Sequence, residues 1–189
     1  MRDLTEFQVQ SLFAAIDWRD FFAPRDHAIL SLLFNTGLRV GELIALTVQA
    51  VLSSNGGPRQ DLIVVGKRKR RRVIPLNESA RSAIAVLLRF NAQHGWPVTP
   101  DARLLFNRYR VPMSSRGVQL IFERLRKRAG LDVPASPHSC RHTVASKLMR
   151  VTHNLRLVQD GMGHARLNTV AVYVHPTRAE LVAGFSKIG

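Results

Sequence analysis

Six consecutive cations, Lys67-Arg68-Lys69-Arg70-Arg71-Arg72, interrupt the middle of the chain. Like charges at adjacent positions repel, so the run cannot be buried as a block and must face solvent or a polyanion. Asp61 to Gly66 and Arg72 to Leu76 flank it and read as two short strands. The run is then the tip of a hairpin, a place from which cations can enter a groove or lie along phosphates. A lysine is the member whose proton can be given up, so one could act as a general acid. A solvated basic loop or a localisation-like basic stretch is the plainer alternative. Composition alone does not say which residue would be catalytic.

The remaining segments carry helical signals. Thr5 and Gln8 have capping-box spacing ahead of a helix over Leu4 to Ile16, with Phe7, Leu12, Phe13 and Ile16 as its apolar positions. Pro24 opens a second helix through Phe34, and Gly37 ends it. A short helix follows from Arg39 to Leu46. Asn77 caps a helix from Glu78 to about Asn91, and His94 to Pro100 is a loop. Ser114 or Ser115 starts a helix to Ala129 that stops at Gly130. Ser136-Pro137 opens another through Arg150, and a short helix covers Leu155 to Gly161. The last residues, with Leu181, Val182, Phe185 and Ile188, read as an apolar tail helix over 177–189. The expected fold is mainly α with a small antiparallel β-sheet (α+β), as one domain over residues 1–189.

Charge narrows the function. There are 28 Lys and Arg against 13 Asp and Glu, a formal net charge of +15. DNA, RNA and an anionic membrane surface are all suitable partners for such a surplus. No run of 18 apolar residues is present, and the first residues lack an apolar signal core, so a membrane span and a secretory leader are not expected. The one cysteine, Cys140, cannot pair within the chain, which favours a reducing, cytoplasmic setting. It reads as a small packing residue rather than a nucleophile.

Five separated segments could carry chemistry. In Thr36-Gly37-Leu38-Arg39-Val40-Gly41-Glu42-Leu43, Arg39 stands at a helix start, where its fork can point at a phosphate. Glu42, three residues on, could hold it in place. The basic hairpin is the second segment. In His138-Ser139-Cys140-Arg141-His142, His138 and Arg141 share a helical face, one able to donate to a phosphate oxygen while the other clamps it. In Gly161-Met162-Gly163-His164, two glycines imply a tight turn just before the histidine. Last comes Val172-Tyr173-Val174-His175. Tyr173 lies nine residues after His164, which on one straight helix would put them on opposite faces, so a break between them is required, with Asn168 a suitable place. Tyr109 is the only other tyrosine. Each segment alone is a weak signal, although for the basic run DNA contact outweighs the plainer alternatives.

Taken in order, Arg39, the Lys67 hairpin, His138-x-x-Arg141, Gly163-His164 and Tyr173 resemble the tyrosine recombinase (phage integrase) family. Thr-Gly-Leu-Arg-x-x-Glu-Leu, His-x-x-Arg-His-Thr and Gly-His followed nine residues later by Tyr carry the likeness, from about Leu4 to Tyr173. Cys140 and Met162 stand where the family often has leucine. The resemblance implies a site-specific DNA recombinase or integrase that cleaves and rejoins DNA through a 3′-phosphotyrosine. Tyr173 would be the nucleophile, Arg39 and Arg141 would bind the non-bridging oxygens, and His138 and His164 would add hydrogen bonds. Lys67, after Gly66, would be the general acid, with Lys69 as the alternative. Arg68, Lys69, Arg70, Arg71 and Arg72 would contact DNA. His142 and His175 fall outside the family set. No cofactor and no metal are implied. The implied partners are double-stranded DNA and further copies of the chain, as a tetramer on DNA and a monomer when free. The tail helix would dock on a neighbouring protomer, or alternatively in cis. The implied setting is bacterial or phage-encoded and nucleoid-associated. An N-terminal DNA-clamping domain, usual in the family, is not expected here. A type IB topoisomerase and a basic DNA-binding regulator without cleavage are the competing readings.

Overall fold

The computed structural model describes residues 3–66 and 71–163. The chain divides into two compact units, Met1–Val144 and Ala145–Gly189. Helix α1 (Glu6–Ala14) starts at Thr5, whose hydroxyl accepts from the Gln8 N–H while the Gln8 side chain accepts from the Thr5 N–H. Leu12 is buried within α1, but Phe7 is 74% exposed, so the apolar face is narrower than its sequence suggests.

Helix α2 (Ala23–Thr36) carries Pro24 in its first turn, where a missing N–H costs nothing. It packs along α5 (Glu78–Gln93). Ala28, Ile29, Leu32 and Leu33 from α2 and Ala80, Ala83, Ile84 and Leu87 from α5 are buried in one core. The Asn77 side chain caps α5 by accepting from the Ala80 N–H at 3.0 Å. Two short helices, α3 (Val40–Ala45) and α4 (Val48–Val51), follow α2, and α4 has no helical signal in the sequence.

Strands β1 (Asp61–Val65) and β2 (Arg71–Pro75) form a two-stranded antiparallel sheet; β1 starts at the expected Asp61, and the other three boundaries fall one residue from the sequence expectation. The register pairs Leu62 with Ile74 and Val64 with Arg72. Period-two alternation puts Leu62, Val64 and Ile74 on the core side and Ile63, Val65 and Val73 outside. Helix α6 (Ser115–Arg128) begins at Ser114, whose hydroxyl accepts from the Gly117 N–H. Its buried stripe is Val118, Ile121, Phe122 and Leu125.

Helix α7 (Pro137–Thr152) has its first half in the first unit, where the Leu4 N–H donates to Thr143 Oγ1 at 2.9 Å. In the second unit, α8 (Leu155–Met162) is capped by Asn154 and ends at Gly163 with φ 62°, a left-handed conformation that suits glycine. The predicted tail helix over 177–189 lies outside the described residues.

Candidate active site

The site grows from the end of α2. Gly37 closes that helix with φ 62° and ψ 25°, and its N–H donates to the Leu33 carbonyl. A left-handed residue turns the chain sharply, and glycine is the residue that does so without a Cβ clash. The turn leaves the Gly37 carbonyl pointing away from the finished helix, and it sets Arg39 as the residue before α3.

Arg141 supplies the partner for that carbonyl. Its side chain comes from the first turns of α7 and is 3% exposed, and Nη1 donates to Gly37 O at 2.6 Å. Residues 104 apart in sequence are thereby joined, and the Arg141 guanidinium is held two residues from Arg39. A guanidinium has five N–H donors, so one spent on a carbonyl leaves others for an anion.

Glu42 organises the other side. Its Oε2 accepts from the Arg39 backbone N–H at 2.8 Å, and its Oε1 accepts from Arg39 Nη1 at 3.0 Å. Arg72 reaches the same carboxylate from β2, with Nη1 to Oε1 at 2.9 Å and Nη2 to Oε2 at 2.7 Å. The Glu42 side chain is 8% exposed and that of Arg72 is 10%, whereas Arg39 keeps 41%. One carboxylate thus anchors two cations, and the more exposed one remains accessible.

Arg72 corrects the reading of the basic run as wholly solvent-facing. Alternation back from buried Ile74 puts Arg72 on the inner face of the hairpin, where Glu42 neutralises it. Through the Glu42 carboxylate it ties β2 to α3. The period-two pattern held this signal, but six like charges in a row obscured it. Arg71, by contrast, is exposed. Lys67, Arg68, Lys69 and Arg70 lie outside the described residues.

Burial works against ionisation of Glu42, but the bonds from Arg72 and from the Arg39 N–H outweigh it and hold the carboxyl at about 2, below its usual 4.5. A depressed carboxyl pKa stabilises the fold fully above the unfolded value and less as pH falls toward the folded one. The difference corresponds to about 3 kcal/mol, of which roughly 2 kcal/mol is lost by pH 3. Glu42→Gln is therefore expected to lower unfolding free energy in urea at pH 6 and to narrow its gap to the parent at pH 3. An equal gap at both pH values would show that folding does not lower the Glu42 carboxyl pKa.

His138 sits in the first turn of α7 and is exposed, its ring edge-on to His142 with centroids 5.0 Å apart. It shares a helix with Arg141, but Arg141 turns inward. The half-buried His142 is pushed toward neutrality, first by burial and then by His138. Cys140 is fully buried, and burial pushes its thiol well above the ordinary range, so it packs rather than reacts. His164, Tyr173 and the break expected near Asn168 lie outside the described residues. Among the described residues no group of three or more His, Cys, Asp or Glu could hold a metal ion, and no helix is long and apolar enough to cross a membrane.

The chain as a whole has counterparts among known proteins. The model of the phage integrase family matches residues 2–180. The chain belongs to the phage integrase family. Among its relatives, tyrosine recombinase XerD of Halalkalibacterium halodurans is 32% identical over 178 residues, covering 94% of this chain and 58% of that protein. Tyrosine recombinase XerC of Corynebacterium glutamicum is 37% identical over 164 residues, covering 86% and 50%. This phage integrase chain thus spans between half and two thirds of the length of these relatives. Its fold matches the crystal structure of XerA recombinase with a TM-score of 0.78 at 25% identity, over 99% of this chain and 65% of the other. It also matches the XerH site-specific recombinase bound to its difH substrate in a pre-cleavage complex, with a TM-score of 0.80 at 24% identity, over 97% and 53%. The second likeness is one of fold, and it places the helices and the two-stranded sheet in the tyrosine recombinase catalytic-domain class.

Proposed function

We propose that this chain is the catalytic part of a site-specific DNA recombinase that cuts and rejoins strands through a 3′-phosphotyrosine. The observation that carries this reading is the bond from Arg141 to the Gly37 carbonyl, two residues before Arg39 is fixed by Glu42. Two guanidinium groups from distant parts of the sequence are held at one turn, as the binding of one phosphate requires.

A phosphodiester resists nucleophiles because its own charge repels them. Arg39 and Arg141 would bind the non-bridging oxygens and stabilise the charge that builds in the transition state. His138 and His164 would add hydrogen bonds, with His138 assisting as base. Tyr173 would attack in line, its phenol, ordinarily of pKa about 10, activated by the cationic pocket. Lys67, with Lys69 as the alternative, would protonate the leaving 5′-oxygen. The 5′-hydroxyl of a partner strand then attacks the phosphotyrosine, reversing the first step. Arg68, Lys69 and Arg70 of the basic run, with the exposed Arg71, would lie along the DNA backbone. Strand exchange between two duplexes requires four active sites, so the chain would work as a tetramer on DNA, in the nucleoid.

The test is a pool of nicked duplexes with randomised flanks, in which the short released fragment bearing the new 5′-hydroxyl diffuses away and traps the adduct. The expected result is an SDS-stable protein–DNA adduct on a subset of sequences. Duplex binding without any adduct would reduce the chain to a DNA-binding regulator. Adduct formation with relaxation of supercoils, but no exchange between paired sites, would place it among type IB topoisomerases.

A further inference from the structure

A second basic feature lies away from the Lys67 hairpin. From Ala102 to Phe122 the sequence contains four arginines and no Asp or Glu. Within it, Phe106 bridges Pro112, and the Asn107 N–H donates to the Val111 carbonyl, making a tight hairpin whose tip is Arg108-Tyr109-Arg110. The tip is built rather than loose. Asn107 Oδ1 accepts from the backbone N–H of Tyr109 and of Val111 at 2.9 and 3.1 Å. The Arg108 guanidinium lies 4.8 Å from the Tyr109 ring centroid and donates to the Tyr109 hydroxyl at 2.5 Å.

Two observations mark the tip as a contact surface. Tyr109 is 68% exposed, an unusual position for a large ring in a water-facing turn. Arg110 has φ 61°, a conformation that favours glycine, yet it holds a long cation there. Among the described residues neither Arg108 nor Arg110 has a carboxylate partner, whereas Arg103 in the same segment is bonded to the Ala45 carbonyl. The segment pairs antiparallel with Thr47 through Arg103, just past α3, the helix preceded by Arg39.

We infer that the Arg108-Tyr109-Arg110 tip is a second DNA contact, gripping backbone phosphates of a duplex away from the scissile one. This rests on the proposed DNA-cleaving function. Tyr109 is the positioning residue: its ring and hydroxyl hold the Arg108 fork extended, so the cation arrives at a phosphate already ordered. Arg108 and Arg110 supply the charge, and the contact reads the backbone and carries no base preference of its own.

The experiment is a salt titration of binding to a short mixed-sequence duplex, using the full chain and an R108Q/R110G variant. Glycine suits the backbone at position 110, so the turn is retained. With two phosphate contacts gone, the slope of log affinity against log salt should become shallower by about 2, and affinity at low salt should fall more than tenfold. Arg19→Ala, which removes an exposed arginine paired with Asp17, should leave the slope unchanged. Tyr109→Ala should weaken binding by less than the double variant, with Tyr109→Phe between it and the parent. A double variant with the parent slope overturns the inference, whether or not its affinity falls. A parent chain with no affinity for duplex overturns the functional reading itself. A parent that binds and forms adducts, beside an indifferent tip, overturns only the tip contact.

Discussion

Tyr173→Phe will bind the nicked duplex pool as the parent does and form no SDS-stable adduct. The substitution removes one oxygen and keeps the ring, so packing and DNA contacts change little. Covalent chemistry depends on that oxygen wholly, because the attacking lone pair and the new phosphorus–oxygen bond both belong to it. Cys140 is a poor substitute, being buried with its thiol pushed up. The chain has one other tyrosine, Tyr109, which lies at the tip of a separate hairpin. An adduct retained in Tyr173→Phe and lost in Tyr109→Phe would move the nucleophile there and overturn the proposed assignment.

Arg141→Ala will slow single-turnover cleavage by roughly 10² to 10³ while leaving duplex affinity within a few-fold. Removing one donor that faces developing charge costs about 3 to 4 kcal/mol of barrier. Here the loss is compounded, because the Gly37 carbonyl also loses its buried donor and the turn that presents Arg39 is no longer tied to α7. Arg141→Lys separates the two contributions. An ammonium keeps the charge but lacks the planar fork that serves a carbonyl and a phosphate together, so its cleavage rate should fall nearly as far. Thermal melts of both variants distinguish a misplaced guanidinium from an unfolded domain. Parent-like cleavage by a folded Arg141→Ala would remove Arg141 from the transition state.

Much of the architecture was legible because local chemistry governs it. Thr5, Asn77 and Ser114 cap helices where their side chains meet unpaired N–H groups, and Gly37 ends α2 because the turn needs a left-handed residue. The two strands flanking the basic run were legible from their apolar residues and the cations between them. Helix α4 was not, since a single turn of four residues has too little periodicity, and the N–H groups of its first residues, Val48 and Gln49, donate to the Ala102 and Pro100 carbonyls far along the chain. Phe7 showed the opposite failure: spacing made it an apolar position, but nothing in the described fold covers it enough to bury it.

Motif spacing and helix caps, written in neighbouring residues, were enough for the family, the order of the proposed phosphate-binding groups and most of the helical segments. How the cations divide depended on packing between distant segments. Arg72, one of six in a row, turns inward to Glu42, while Arg39 on the same carboxylate stays accessible. Arg141 is buried against Gly37 although it shares a helix with exposed His138. These choices follow from which face of a strand or helix meets a carboxylate or a carbonyl brought from elsewhere. A buried guanidinium is tolerated only where such a partner waits, and the packing of α3, β2 and α7 in the first unit supplies it.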